Sequence, residues 1–334
     1  MSMPPISTND LDEILVATEE LWEEMRGERI FISGGTGFFG CWLVESFLHA
    51  NRRLGLGAEA VVLSRNPAGF LAKMPHLRGL TLIPGDVREF AFPAGEFRFA
   101  IHAATEASAK QMAEEPDEMR STILAGTARM LEFAGQAGTR KMLFTSSGAV
   151  YGSQEVERVT EEHPTAPDTV YGIAKLAAEQ MCAQAVGLEI KIARCYAFLG
   201  AHLPLDAHFA AGHFLGDALA SRTIRIASDG SAVRSYLYAG DLAIWLWTML
   251  FRAPSLRPYN VGSEEEVTIR ELAEATVQHV DPSVQVEVAQ AADPDRAPHR
   301  YVPSTLRARE ELGLRQTVSL GEGLRRTAAW HRLK

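Results

Sequence analysis

Short apolar runs alternate with longer stretches of helical periodicity through the first two-thirds of the chain. Arg29–Ser33 (RIFIS), residues 60–63 (AVVL), 80–83 (LTLI), Phe99–His102 (FAIH), 142–145 (MLFT) and 190–193 (IKIA) are mostly apolar and too short for buried helices. Helical patterns fill the intervals, most clearly at 118–137 and 170–186. Strand and helix in regular turn, with strands this apolar, predict an α/β fold whose doubly wound parallel sheet is covered by helices on both faces.

Ahead of the first strand, Leu11, Ile14, Leu15, Thr18, Leu21 and Trp22 recur at helical spacing behind Asp10, a residue type that caps helix N-termini. Residues 1–28 therefore predict a helical lead-in packed on the main body rather than a separate arm. The βα rhythm breaks after Arg194, and Pro254, Pro258, Pro282, Pro294, Pro298 and Pro303 punctuate the later chain. The expected organisation is a main domain over 29–195 and a smaller C-terminal lobe from 196–235 and 263–334. Residues 236–262, beginning with a helix over 236–251, return to the main domain.

Composition narrows the partners. With 33 basic and 42 acidic residues the net charge is −9, which argues against nucleic acid or an anionic membrane as the main partner. A few placed arginines and a helix N-terminus would still hold a phosphorylated ligand. The three cysteines (Cys41, Cys182, Cys195) have no CxxC spacing and the histidines no HExxH, so neither a disulfide framework nor a metal site is expected. No apolar stretch approaches the roughly 18 residues of a membrane span, and the start of the chain is polar, so a cytoplasmic location is expected.

The candidate chemistry begins at Gly34-Gly35-Thr36-Gly37-Phe38-Phe39-Gly40, which follows the first strand and opens a helix. Glycines there let the backbone turn tightly and approach a pyrophosphate at the helix N-terminus, so the main domain reads as Rossmann-type and dinucleotide-binding. The second strand ends in Ser64-Arg65 with no carboxylate. That leaves NAD(H) or NADP(H) open and leans toward NADP(H), the alternative being a solvent-facing Arg65. Asp86 and Val87, after the third strand, are placed to meet the adenine, or Asp86 is a turn residue. Tyr171 and Lys175 share one helix face, where an ammonium favours the tyrosine's phenolate and brings its proton into working range. Ser147 ends the preceding strand and offers a hydroxyl to a reacting oxygen.

Glycine turn, Thr145-Ser146-Ser147-Gly148-Ala149-Val150-Tyr151-Gly152 and Tyr171-x-x-x-Lys175, in this order, resemble the extended short-chain dehydrogenase/reductases of the nucleotide-sugar epimerase/dehydratase type, over about residues 29–275. The resemblance implies a catalytic set of Ser147, Tyr171 and Lys175. It implies cofactor contacts from Gly34, Thr36, Gly37, Phe38, Phe39, Gly40, Ser64, Arg65, Asp86, Val87, Tyr171, Lys175 and the His102-Ala103-Ala104 stretch beside the nicotinamide. A nucleotide-diphosphate sugar would meet Thr105, Glu106, Ser147, Gly148, Ala197, His208 and Arg234, the last on its pyrophosphate. Tyr259-Asn260-Val261-Gly262 matches the family strand that follows. The helices at 118–137 and 170–186 correspond to the family's homodimer interface.

Departures from the family pattern bear on the reaction. Its 4,6-dehydratases carry Asp-Glu after the catalytic hydroxyl residue, and its decarboxylases a glutamate at the second of these positions. Gly148-Ala149 offers neither, nor the cysteine of some C3/C5 epimerases. Ala197 replaces the asparagine that touches the diphosphosugar. What remains is epimerisation through a transient 4-keto sugar, with C4 the default carbon, or reduction of a nucleotide 4-keto sugar by NADPH. A non-catalytic dinucleotide-sensing protein is the alternative from another class. Glu106, Cys195, His202 and His208 stay open as further acid/base groups or as structural residues.

Overall fold

The computed structural model describes residues 2–105, 115–154, 156–205, 209–291 and 297–334. Glu106 and His208 lie outside the described residues.

Strands β1 (Arg29–Ser33), β2 (Glu59–Ser64), β3 (Thr81–Pro84), β4 (Phe99–His102), β5 (Lys141–Ser147) and β6 (Glu189–Cys195) coincide with the six apolar runs, each extended or shifted by a residue or two at most. After them come β7 (Phe198–Leu199), β8 (Ile224–Ile226), β9 (Val233–Ser235), β10 (Leu237–Tyr238), β11 (Pro258–Val261), β12 (Glu266–Thr268), β13 (Val286–Val288) and β14 (Arg300–Tyr301). The helices are α1 (Thr8–Thr18), α2 (Phe38–Leu54), α3 (Pro67–Lys73), α4 (Pro116–Gln136), α5 (Val170–Ala183), α6 (Ala210–Leu219), α7 (Ala239–Arg252), α8 (Ile269–Val280), α9 (Leu306–Leu312) and α10 (Leu320–His331).

A seven-stranded sheet runs in the order β11-β6-β5-β4-β1-β2-β3, every neighbouring pair parallel. Both faces are buried, as the unbroken apolar runs require: Ile30 and Ile32 enter one hydrophobic cluster and Phe31, between them, enters the other. Each such side chain stabilises the fold by roughly 1.5–3 kcal/mol relative to exposure. The chain winds outward from β1 to β3 and then crosses back to β4 on the other side of β1. This leaves a crevice between β1 and β4, the place where open α/β sheets hold ligands.

Two local expectations are corrected. Ser7, not Asp10, caps α1: its hydroxyl accepts from the Asp10 N–H at 3.1 Å and donates to the Asp10 carboxylate at 2.7 Å. Asp10 is instead buried in the first turn, where Tyr238 and Arg326 donate to it. The helix expected from residue 236 begins at Ala239, because Leu237–Tyr238 pairs as a short strand with Phe198–Leu199. The lead-in does pack on the main body. Trp22 is fully buried, its ring 4.7 Å from Trp247 of α7 and 6.2 Å from Phe47 of α2.

Outside the main sheet, β9 lies between antiparallel β12 and parallel β14, and β8 pairs with β13. Helices α6, α8 and α10 close a third hydrophobic cluster around Leu215, Leu272 and Leu324. Thr268 and Glu271 cap α8 reciprocally, which fixes where it leaves β12. The three-stranded unit sets Arg234 and Tyr301 side by side in register.

Candidate active site

The crevice starts at the turn from β1 into α2. Gly34 has φ 76°, and a Cβ there would lie 2.4 Å from the Ala103 carbonyl; one at Gly40 would lie 2.2 Å from the Gly34 oxygen. The turn is thus closed against β4 and against itself, and only glycine fits. Gly37 caps α2 with no side chain over the first turn, and that turn holds no acidic residue. Thr36, Phe38 and Phe39 complete it, the Phe39 ring 5.0 Å from Phe198. A bare N-terminus of a long helix, reached through a glycine cradle, fits a pyrophosphate.

Across the crevice His102 is buried, its Nδ1 2.8 Å from the Ser33 hydroxyl and its Nε2 3.1 Å from that of Thr127. Burial, and then the charge of Lys175, pull it down to about 3, so it stays neutral. Ala103 and Ala104 carry the chain past the glycine turn. At the end of β2 the Ser64 hydroxyl accepts from the Asn66 N–H, with Arg65 between them. Arg88 grips both oxygens of Asp86 at 2.8 Å, and that charge-assisted pair holds the carboxyl below its ordinary range. Asp86 is thus part of an ion pair at its turn, and Val87 packs beneath it against Gly126 of α4.

Ser147, Tyr171 and Lys175 come together at the C-terminal end of β5. Thr169 caps α5 by accepting from the Gly172 N–H at 3.1 Å, which puts Tyr171 in the first turn and Lys175 one turn on. The half-buried Tyr171 phenol faces Ser147; burial raises its pKa first and nearby Tyr301 second, while Ser147 opposes them. Lys175 donates to the Thr105 hydroxyl and to the Thr145 carbonyl, both at 2.8 Å, and its ammonium lies 5.8 Å from the centre of the Tyr171 ring. Burial lowers it to about 8, against Cys195, Glu179 and Cys182, which raise it. The expectation that Lys175 brings the Tyr171 proton into working range is corrected here: burial outweighs the ammonium and holds the phenol above its ordinary value.

The other expected residues divide. Thr105 joins the set through Lys175. A Cβ on Gly148 would fall 2.5 Å from the Tyr196 ring, so an acidic side chain has no room there while Tyr196 stays. Ala197 accepts the Leu237 N–H through its carbonyl, linking β7 to β10. Arg234 donates to the Val233 and His299 carbonyls at 2.8 and 3.0 Å, and among the described residues no carboxylate pairs with it. Burial lowers its pKa, and nearby Tyr236 and Tyr301 oppose the shift. Cys195 is buried at the end of β6, in register with Ser147. His202 belongs to a separate cluster, tied to Glu45, with its ring tilted 4.4 Å from that of Trp330.

Tyr301 escaped the sequence reading. Its hydroxyl lies 3.4 Å from that of Ser147, and its ring is 4.5 Å from Tyr196. Burial pushes its phenol up to about 12. No motif surrounds it, and only the pairing of β14 with β9 brings it in. Among the described residues no cluster could hold a metal ion, and no helix is long and apolar enough to cross a membrane.

Comparison with known proteins bears on the family and the fold. UDP-glucuronic acid decarboxylase 1 of Arabidopsis thaliana is 30% identical over 310 residues, spanning 89% of this chain and 68% of that protein. The zebrafish (Danio rerio) enzyme of the same name is 29% identical, spanning 90% and 72%. UDP-glucose 4-epimerase of Thermus thermophilus, solved with NAD, superposes with a TM-score of 0.76 at 28% identity, over 91% of this chain and 99% of that one. The dTDP-glucose 4,6-dehydratase DesIV of Streptomyces venezuelae, solved with NAD and TYD, gives 0.79 at 25%, over 92% and 97%. The sequence pattern of the NAD dependent epimerase/dehydratase family matches residues 30–262, and the chain is a member of that family of nucleotide-sugar enzymes.

Proposed function

We propose that this enzyme is a nucleotide-sugar epimerase working through a transient 4-keto sugar, with C4 the default carbon. The carrying observation is the convergence of Ser147, Tyr171 and Lys175 beside the glycine cradle, followed by two residues, Gly148 and Ala149, that exchange no proton. A nicotinamide dinucleotide bound in the crevice supplies the reversible acceptor of hydride. Tyr171 takes the proton of the sugar hydroxyl as it becomes a ketone and returns it after the sugar has turned its other face. The Lys175 charge works for the phenolate against the burial that raises Tyr171, and Ser147 holds the reacting oxygen. Arg234, desolvated and without a carboxylate, binds the sugar's diphosphate, and Tyr301 meets the sugar beside Ser147.

The lobe from 196–235 and 263–334 is part of this proposal as the sugar-binding unit, opposite a cofactor domain of 29–195 with 236–262. The family description names NAD; Ser64 and Arg65 support NADP(H) for this chain. A homodimer through 118–137 and 170–186 is proposed as well, since Val170 and Ile173 are 43% and 53% exposed on α5. Light scattering should return about twice 36.6 kDa, and a monomer removes that part.

A second reading, decarboxylation of UDP-glucuronic acid, is favoured by the curated relatives and opposed by Ala149. One experiment separates the possibilities: mass spectrometry of small molecules released from the purified, denatured enzyme, followed by product analysis. Bound NAD⁺ or NADP⁺ with interconversion of UDP-glucose and UDP-galactose supports the epimerase. Carbon dioxide from UDP-glucuronic acid identifies the second reading. An empty site that takes up NADPH and consumes it with a nucleotide 4-keto sugar makes the enzyme a reductase.

A further inference from the structure

Beneath the catalytic set lies a buried ion pair with no part in the chemistry above. Glu179 is on α5 one turn beyond Lys175, Arg194 is on β6, and each is 6% exposed. One Glu179 oxygen accepts from the Ser146 hydroxyl at 2.5 Å and from Arg194 Nε at 3.0 Å; the other accepts from Arg194 Nη2 at 2.7 Å. Ser146 precedes Ser147 and sits in register with Arg194. The carboxylate thus joins the strand carrying Ser147 to the helix carrying Tyr171 and Lys175. Arg194 Nη1 continues to the Tyr151 hydroxyl at 2.9 Å, which donates to Asn260 at 2.9 Å. The Asn260 side chain donates to the Ser304 carbonyl, three residues after Tyr301. Every segment that brings a group to the reacting sugar's hydroxyl is therefore fastened to this chain.

The pair also sets charge. Around Lys175 stand Tyr171, Glu179 and Cys182 on its own helix, the Thr145 carbonyl and Phe144 ring on β5, Cys195 on β6, His102 on β4, and Thr105. Burial pushes both Cys182 and Cys195 up to about 12, so they are neutral thiols, and His102 is neutral too. Among the described residues around the lysine, Glu179 is left as the standing negative charge, with Arg194 tempering it.

Resting on the proposed roles of Ser147, Tyr171 and Lys175, we propose that Glu179 and Arg194 are positioning residues that lock Ser147 against the Tyr171–Lys175 helix and, with opposite signs, tune how firmly Lys175 keeps its proton. Replacing Glu179 by Gln keeps the shape and removes the negative charge, so Lys175 loses its proton at lower pH. Arg194→Met leaves the Glu179 charge untempered, so Lys175 keeps its proton to higher pH. Arg194→Lys preserves the charge and loses the fork.

The test uses the holoenzyme as purified, with UDP-glucose and UDP-glucuronic acid as probes. In E179Q the basic limb of the kcat profile should move about one pH unit toward acid, in R194M it should move toward alkali, and in R194K it should stay. In R194K, kcat should fall about tenfold with KM changed less than about twofold, as lost alignment predicts. General structural damage would not move the limb in opposite directions for two partners of one pair. Limbs that move together, or not at all, overturn the proposal.

A readout without substrate guards against failure of the functional reading. Lys175 is depressed in the folded state, so the unfolded chain binds more protons above about pH 8 and folding gains stability as pH rises there. The melting-temperature deficit of E179Q should therefore shrink between pH 7 and pH 10, and that of R194M should grow. A wild-type enzyme inactive on both probes would count against the proposed function, and the melting series would still decide the role of the pair.

Discussion

A single methyl group at residue 148 tests the packing that distinguishes this site from its dehydrating relatives. Gly148 is not in the left-handed region, so Gly148→Ala adds no backbone strain; its cost is space. The new Cβ would meet three carbons of the Tyr196 ring at 2.5, 2.6 and 2.8 Å, closer than carbon atoms approach. That ring is partly buried and lies against Tyr301, so its shift presses on the phenol beside Ser147. Overpacking of this kind costs about 1–3 kcal/mol. Tyr196→Ala removes the obstacle and costs about 3–5 kcal/mol as an aromatic deletion. In the double variant the methyl occupies space already vacated, so the combined loss should fall short of the sum by about 1–3 kcal/mol. Urea unfolding of the four proteins reads these values from the midpoints, provided the slopes agree. Strict additivity, or a Gly148→Ala protein within about 0.5 kcal/mol of wild type, would refute the steric account. Gly148→Asp should then fail to install an acid unless Tyr196 is also reduced.

Four other outcomes follow from the same geometry. Tyr171→Phe should lower kcat about 10²–10⁴-fold while the melting temperature stays close to wild type, and full turnover in this variant would end the catalytic assignment. Arg65→Ala should reduce the ratio of NADP to NAD affinity about tenfold by fluorescence titration, and an unchanged ratio removes the ribose reading. Arg234→Ala should raise KM for a nucleotide-diphosphate sugar about 10- to 100-fold, with a smaller effect on a sugar 1-phosphate. Since Lys175 is protonated below about pH 8 and neutral above it, turnover should decline as pH rises through that value, and Lys175→Met should abolish the limb along with most of the activity.

The sheet was readable because most of its strands are buried on both faces, so that β1 to β6 stand out as mostly apolar runs even where, as at the edge strand β3, burial is incomplete. The glycine cradle was readable from its spacing: Gly40 is demanded by contacts within seven consecutive residues, whereas the Ala103 carbonyl that excludes a side chain at Gly34 comes from the end of β4. Tyr171 and Lys175 are held on one face by the helix that also carries them. Ser7 was missed as a cap because Asp10 is an equally good cap by residue type, and only the tertiary contacts of Asp10 with Tyr238 and Arg326 decide between them. The start of α7 was missed because Leu237–Tyr238 is apolar in either conformation and takes its strand form from Phe198–Leu199.

Tyr301 is the instructive omission. It reaches Ser147 through strands that pair Arg234 with a residue far along the chain, and no local spacing records such a pairing. Gly148 carries the same lesson in reverse. Its lack of a side chain was visible, but the reason, a ring from the segment after β6, was not. The residues of the family pattern, in the turn after β1, at the end of β5 and on α5, are written locally, which is why membership of the family is plain. The groups to which the proposed function gives the choice of substrate and reaction are contributed by 148–149, 196–197, 234 and 301, from four separate segments. Overall identity to decarboxylases averages over the whole frame, whereas the branch between epimerisation, decarboxylation and reduction rests on those few positions. On the proposed reading, a carboxylate absent at 149 and a phenol held protonated at 301 therefore weigh more on the reaction than the identity of the remaining chain.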